Sequence, residues 1–272
     1  MAAIHDLSCF GRCALTVIIP TLSAMGIQVV PIPTALLSTH TGGFENMAFT
    51  DLSDKMTDIA KHFDELGLEF DAIYTGFLGD SSQIEIVSDF IDRFGGKDCI
   101  VFVDPVMGDD GVLYSTYTDE LVSGMAKLCA KADIITPNLT EACFLTGQSY
   151  VDSFANESDA ENAALIIREK LRKVTDAEVC ITGIHYGDNM VATYASHSER
   201  SLFYGAKHIG RSYPGTGDLF ASVMLGKLIG GNSFEVSAKK ASKFTRNVIK
   251  YSEEFGDSVR NGVVLEPMLK KI

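Results

Sequence analysis

Short apolar runs and longer amphipathic stretches alternate along the whole chain. The runs at residues 2–5, 28–32, 72–75, 99–103, 134–136 and 179–182 are nearly unbroken in apolar side chains, as strands buried on both faces are. Helical spacing occupies the intervals 14–24, 50–66, 82–94, 118–130, 139–145 and 158–173. In the last of these Ala163, Ile166, Ile167 and Leu171 share one face, and Lys and Arg gather toward its end, where the helix dipole favours them. Residues 190–195 and 201–204 read as an antiparallel pair, with Gly187-Asp188 marking the turn before it. Two helices, 219–229 and 235–252, follow on either side of the break Gly230-Gly231-Asn232. This alternation predicts an α/β fold: a central, mostly parallel sheet with helices on both faces.

Composition narrows the partners. With 272 residues, 46% of them hydrophobic, the chain can bury a large core. No Gly/Ser-rich linker, repeat or low-complexity tract divides it, so one domain over 1–272 is expected. No run approaches the roughly 18 apolar residues of a membrane span. The start, MAAIHDLSCFGRC, lacks the charged-then-apolar layout of a signal peptide. A net charge of −13 argues against nucleic acid and anionic membrane surfaces as partners. An anionic substrate must therefore be met locally, by amides, a metal and a few basic side chains. The six cysteines are scattered, with only Cys9 and Cys13 close together. That spacing predicts buried free thiols of a cytoplasmic protein and no zinc site.

The ends of the predicted strands carry the chemistry. They read Asp6-Leu7-Ser8, Thr75-Gly76-Phe77, Asp104-Pro105-Val106-Met107-Gly108-Asp109, Thr136-Pro137-Asn138 and Thr182-Gly183. Ligands of parallel sheets bind at this edge, so five polar or glycine-bearing ends converge on one site. Asp104 and Asp109 are costly as neighbours unless a cation or proton lies between them. Their hard oxygens suit Mg²⁺, which completes its shell with water and phosphate; the bland alternative has one capping the turn and the other facing solvent. Asn138 or Thr140 can cap the next helix, with Glu141 in its first turn. The same edge gives Asn138 and Glu141 a second reading, as holders of phosphate and metal-bound water.

Gly215-Thr216-Gly217-Asp218 precedes the apolar run Leu219-Phe220-Ala221-Ser222-Val223-Met224-Leu225. Two glycines let the backbone turn tightly against a ligand, and the run after them reads as a buried helix. Such a helix start holds anions through its unpartnered amides and the positive end of its dipole. Asp218 there is either an ordinary capping residue or a carboxylate that takes a proton beside a phosphate. No Walker A pattern surrounds Gly226-Lys227-Leu228, and Phe220 stands where a dinucleotide fingerprint needs its third glycine.

Three of these segments resemble the signatures of the ribokinase superfamily in its vitamin-kinase branch: 104–109, Ile135 through Ala142, and Gly215 through Phe220. The N-terminal part, Asp6 through Arg12 and Leu37-Ser38-Thr39-His40-Thr41-Gly42-Gly43, is similar to the pyridoxal kinases. The resemblance spans nearly the whole chain and implies a ribokinase-like fold and a homodimer. It makes Asp218 the general base for the substrate's hydroxymethyl group, with the amides of Gly215, Thr216 and Gly217 cradling the transferring phosphoryl group of ATP. It turns Asp109 toward Mg²⁺ and Asp104 toward the phosphates. A monovalent cation, K⁺ or Na⁺, falls to Asp104, Thr136 and Thr182, and the nucleotide to Asn138, Glu141, Thr182 and Gly183 as well. Ser8 and Thr41 match positions that bond the pyridine substituents; local loop hydrogen bonds are their alternative. His40 stacks near the ring or serves its loop. Two positions depart from the pattern. Phe77 stands where many pyridoxal kinases have tyrosine, and Tyr213-Pro214 where a related dual-activity group has a reactive cysteine. Stacking without a hydrogen bond is expected at the first, and no hemithioacetal at the second.

The implied activity is ATP-dependent phosphorylation of pyridoxal, pyridoxine and pyridoxamine at the 5′-hydroxymethyl group. Hydroxymethylpyrimidine kinase of thiamine synthesis is the competitor within the fold, because few contacts set pocket preference. A non-catalytic vitamin or nucleotide binder is the competitor outside it, and Asp109 with Asp218 speaks against that, since binding alone needs neither base nor metal carboxylate. A nicotinamide dehydrogenase would need the dinucleotide fingerprint that fails here.

Overall fold

A computed structural model describes residues 1–114, 117–198 and 200–272. Five parallel ladders organise it. Strands β1 (Ala2–Phe10), β2 (Val30–Thr39), β4 (Ala72–Thr75), β5 (Ile100–Val103), β8 (Ile134–Ile135) and β9 (Glu178–Tyr186) run the same way. The short β3 (Phe49–Asp51) caps one edge antiparallel. On the other edge β10 (Met190–His197) and β11 (Arg200–Lys207) form the expected antiparallel pair. Among the described residues these make one nine-stranded sheet in the order β11-β10-β9-β8-β5-β4-β1-β2-β3. Gly108–Asp109 and Val112–Leu113 form a separate small hairpin, β6 and β7.

The helices divide between two faces. On one face α2 (Ser53–Glu65), α3 (Ser82–Phe94), α4 (Asp119–Cys129), α5 (Leu139–Thr146) and α6 (Glu157–Leu171) cover a core that includes Met56, Val87, Met125, Ala142 and Ile167. On the other, α1 (Leu15–Ala24), α7 (Thr216–Ile229) and α8 (Phe234–Phe255) enclose Ile18, Leu22, Val223, Met224, Phe244 and Val248. Every residue of α7 from Leu219 to Gly226 is buried, as befits a helix that is apolar all round. Each large apolar side chain sealed there contributes about 1.5–3 kcal/mol. Such a helix is held rigidly, so its N-terminus is a fixed point against which a site can be built.

Three element boundaries differ from the sequence expectation. The first strand continues past residue 5 to Phe10, which carries Ser8 into the sheet. The second strand is not 28–32 but Val30–Thr39, although it holds Pro31 and Pro33. The Val30 amide donates to Met1 O on the β1 side, so by the alternation of a strand the two proline nitrogens point to the outer side. β3 reaches only Ala35, Leu36 and Leu37, and prolines are tolerated where no ladder bond is needed. Residues 50 and 51, expected in a helix, pair with β2, and α2 begins only at Ser53, whose amide donates to Asp51 Oδ1 (3.0 Å). Among the described residues no helix is long and apolar enough to cross a membrane.

Candidate active site

The C-terminal ends of β1, β4, β5, β8 and β9 open into one cavity of about 940 Å³, closed from the other side by the start of α7 and residues near Arg260. Asp104, Asp109, Thr136, Asn138, Glu141, Thr182, Gly183, Thr41, His40, Phe77, Gly215, Thr216, Gly217 and Asp218 all line it. Ser8 does not. Its side chain is fully buried and its hydroxyl donates to Asp6 Oδ2 at 2.8 Å. The β1–β2 register shifts between His5 and Leu7, and of the Asp6–Ser8 pair it is the Asp6 carboxylate that reaches the cavity wall.

Gly215 is the N-cap of α7, with φ +80, and no side chain caps the helix. A Cβ at Gly215 would overlap the Arg12 carbonyl oxygen, so glycine is required both by the dihedral and by the approach of the 11–13 turn. Thr216 turns its hydroxyl back to Tyr213 O (3.0 Å). Asp218 lies in the first turn yet does not bond its own helix end. Its Oδ2 accepts the Ala14 amide (2.7 Å), and its Oδ1 lies 3.1 Å from His5 Nε2. Burial disfavours the ionised carboxylate, but His5, the Ala14 amide and His40 outweigh it and hold the carboxyl below its ordinary range. An anionic base thus sits beside a helix end whose leading amides have no partner inside the helix.

Asp104 shares the cavity, and its carboxyl is shifted the other way. Burial and then the charge of Asp218 raise its carboxyl to about 7, with His5 and Thr136 pulling the other way. Asn138 and Glu141 close a complete capping box on α5: Asn138 Oδ1 accepts the Glu141 amide (2.9 Å) and Glu141 Oε2 accepts the Asn138 amide (2.7 Å). Glu141 Oε1 also accepts the Met107 amide (3.1 Å), and Asn138 Nδ2 donates to Gly108 O (2.8 Å). These bonds fix the turn that presents Asp109 at the cavity rim. Burial, then Asp104, pushes the Glu141 carboxyl upward against those two amides.

His40 serves its loop. Nδ1 accepts the Gly42 amide (3.1 Å), which leaves Nε2 as the donor to Arg260 O (2.7 Å). Phe77 is buried, with its ring edge-on to Tyr117 at 6.2 Å and its carbonyl accepting from Thr34. Of the cysteines, only Cys9 is exposed; Cys13 reaches the cavity, where burial and then Asp218 push its thiol upward. Sequence reasoning passed over His5 and Asp6 as site residues, and over Lys207, Arg211 and Arg246, which bring positive charge to the cavity lining. The readable signal for the first two was a polar His-Asp pair interrupting an apolar strand. The basic residues carried none, because they come from a strand edge, a loop and a helix surface.

Among the described residues no group of three His, Cys, Asp or Glu is placed to hold a metal ion. One carboxylate is enough for Mg²⁺ when phosphate oxygens complete the shell. Asp109 fits, because its carboxylate is exposed at the rim and, among the described residues, accepts only the adjacent Asp110 amide (3.1 Å). A monovalent cation fits the buried Thr136 hydroxyl, which has no hydrogen-bond partner among the described residues, beside the Asp104 carboxyl group.

Comparison with known proteins gives the chain its family and its fold. The sequence profile described as phosphomethylpyrimidine kinase matches residues 3–263. A Bacteroides thetaiotaomicron protein provisionally assigned as a phosphomethylpyrimidine kinase, solved in an orthorhombic form with pyridoxal, is 39% identical. It superposes with a TM-score of 0.91 over 99% of this chain and 94% of its own. A pyridoxal kinase of Actinobacillus pleuropneumoniae is 29% identical, covering 78% of this chain and 74% of its own. A hydroxymethylpyrimidine/phosphomethylpyrimidine kinase of Bacillus subtilis is 27% identical, covering 84% and 80%. The fold is the ribokinase-like one, and relatives of both substrate types stand at nearly equal distance.

Proposed function

Since this chain belongs to the phosphomethylpyrimidine kinase family, we propose that it is a pyridoxal kinase. In this reading a single ribokinase-like domain over 1–272 transfers the γ-phosphoryl group of ATP to the 5′-hydroxymethyl group of pyridoxal, pyridoxine or pyridoxamine. The observation that carries the kinase chemistry is the Asp218 carboxylate, held anionic by Ala14 and His5 beside the uncapped start of α7. Support for pyridoxal as the alcohol comes from the relative at 39% identity that was solved with it.

The chain's own groups account for the reaction. Phosphoryl transfer needs in-line placement and charge stabilisation more than covalent chemistry. The substrate's ring lies between Phe77 and the wall formed by Asp6 and Thr41. Its hydroxymethyl oxygen points at Asp218, which accepts the hydroxyl proton as the new O–P bond forms and the bond to the leaving ADP oxygen breaks. Each carboxylate oxygen of Asp218 already accepts one bond but keeps a second lone pair for that proton. Amides of Gly215, Thr216 and Gly217 bind the equatorial phosphoryl oxygens where charge accumulates. Asn138 and Glu141 fix the 107–109 turn, and Lys207, Arg211 and Arg246 meet the nucleotide's anionic charge. Asp109 holds Mg²⁺, which supplies neutralisation of the phosphate oxygens when bound. Asp104, Thr136 and Thr182 hold a monovalent cation.

The test is a steady-state assay of the purified chain with ATP and Mg²⁺, comparing pyridoxal with hydroxymethylpyrimidine. The expected result is a higher kcat/KM for pyridoxal. A preference of tenfold or more for the pyrimidine overturns the substrate and leaves the kinase assignment standing. Assembly as a homodimer in the cytoplasm belongs to the same reading, and sedimentation of the purified chain checks the first part.

A further inference from the structure

Of the carboxylates lining this cavity, Asp6 takes no proton or charge in the kinase reading, yet it is tied to Asp218 through one buried ring, that of His5. The imidazole is almost wholly enclosed, 2% exposed. Nδ1 lies 3.1 Å from Asp6 Oδ1 and Nε2 lies 3.1 Å from Asp218 Oδ1. Asp6 is steadied in turn by the Ser8 hydroxyl, which donates to its Oδ2 (2.8 Å). Gly76 packs against the Nε2 side of the ring, where any Cβ would overlap it, and the Tyr74 ring stands edge-on at 6.0 Å.

We propose that His5 is a positioning residue for phosphoryl transfer: it bridges Asp6, on the wall that receives the substrate ring, to Asp218, and with the Ala14 amide clamps the Asp218 carboxylate in its proton-accepting orientation. The inference rests on the reading of Asp218 as the base. Held at Oδ1 by one element and at Oδ2 by another 204 residues from it in sequence, the carboxylate cannot rotate away from the hydroxyl it must deprotonate. Such preorganisation is worth having because small misplacements of a reacting group are costly in rate.

The protonation state of the ring follows from its neighbours. The amides of Asp6 (3.2 Å) and Phe77 (3.3 Å) also approach Nδ1 and Nε2, and they would suit a ring lacking a proton at that nitrogen. The two carboxylates are nearer. Burial works against the charged ring, but the bonds to Asp218 and Asp6 and their charges overcome it and raise the imidazole to about 10. The two carboxylates therefore favour the imidazolium form of His5. The proton from the substrate ends on Asp218, turning an Asp6⁻/His5⁺/Asp218⁻ array into Asp6⁻/His5⁺ with a neutral acid. Other titratable groups that act on this array are Asp104 after β5, the Tyr74 phenol on β4, the Cys13 thiol before α1 and His40 after β2. Without the cation, repulsion among Asp6, Asp104 and Asp218 would move protons onto the base itself.

The experiment compares the full-length protein with His5→Gln, His5→Leu and Asp218→Asn, using ATP, Mg²⁺ and pyridoxal. His5→Gln keeps an N–H donor without the charge. Its kcat is expected to fall at least tenfold with KM for pyridoxal changed less than threefold, and the acid limb of its kcat–pH profile to move up by a unit or more. His5→Leu, with neither donor nor charge, falls further. A His5→Gln enzyme with kcat within threefold of wild type and an unmoved acid limb overturns the proposal. If Asp218→Asn keeps wild-type turnover, the base reading falls instead; if it is inactive while His5→Gln is normal, only the role of His5 falls. A second readout needs neither variant to be active. In ¹⁵N-histidine-labelled wild-type protein at pH 8, both His5 nitrogens are expected at imidazolium shifts, and a neutral-ring pattern overturns the proposal even where the variants do not fold.

Discussion

Two helices point their N-termini into the same cavity, and they are finished in opposite ways. α5 closes on itself: Asn138 and Glu141 exchange side-chain and backbone bonds, so the Asn138 and Glu141 amides are taken before any ligand arrives. α7 begins at an uncapped Gly215, and Asp218, standing where Glu141 stands in α5, turns away to His5 and Ala14. Both starts carry an acidic residue in the first turn, so composition does not separate them. What separates them is where the carboxylate finds its partner. In α5 the partner is local, and the result is a stable corner that fixes the 107–109 turn. In α7 it is distant, and the result is free amides beside an anionic base.

Substitutions at the two ends should therefore divide cleanly between rate and stability. The largest effect is expected for Asp218→Asn, a loss in kcat of at least about a hundredfold, the usual contribution of a positioned base; unchanged turnover in a steady-state assay would remove Asp218 from that role. Next comes pH, acting on the α7 side through His5. Its folded pKa lies above the ordinary value of 6.5, so its contribution to stability is complete below about 6.5 and is lost as pH climbs through about 10. The slope over that window is bounded by about 1.4 kcal/mol per pH unit for one proton. Urea midpoints of the ligand-free protein between pH 6.5 and 10 check this, and His5→Gln should flatten the fall. Gly215→Ala places a side chain at φ +80 against the Arg12 carbonyl and should cost about 1–3 kcal/mol, with kcat falling alongside the thermal midpoint. The smallest effect belongs to α5: Asn138→Ala should cost about 0.5–2 kcal/mol, the range for a lost N-cap. A kcat loss at Asn138 as large as that of Asp218→Asn would erase the contrast between the two ends.

Much of this molecule was readable along the chain. Buried strands such as 72–75 and helices such as 82–94 declared themselves, because their apolar spacing is a local property. Boundaries were less legible where neighbours decide them. Residues 50 and 51 of β3 look like the opening of a helix until β2 pairs with them, and Pro31 and Pro33 look like the end of a strand until the unpaired outer side is known. At the site, the glycine loop, the Asp104–Asp109 turn and the Asn138–Glu141 pair could be found from residue type and order. Ser8 came forward through the family resemblance, and only the folded strand shows its hydroxyl turned to Asp6 while the Asp6 carboxylate lines the cavity.

Sequence alone determined the sheet-and-helix alternation, the placement of polar residues at one set of strand ends, and a glycine-marked helix start followed by an aspartate. These depend on neighbours within a few positions, where backbone sterics and side-chain periodicity act directly. Tertiary structure alone decided that His5 and Asp218 meet, that one helix end stays open while the other is sealed, and that Asp104 rises to about 7 while Asp218 is held low. Charges far apart in the chain share a buried, weakly screened space only after the strands are ordered side by side, and their protonation is a property of that space.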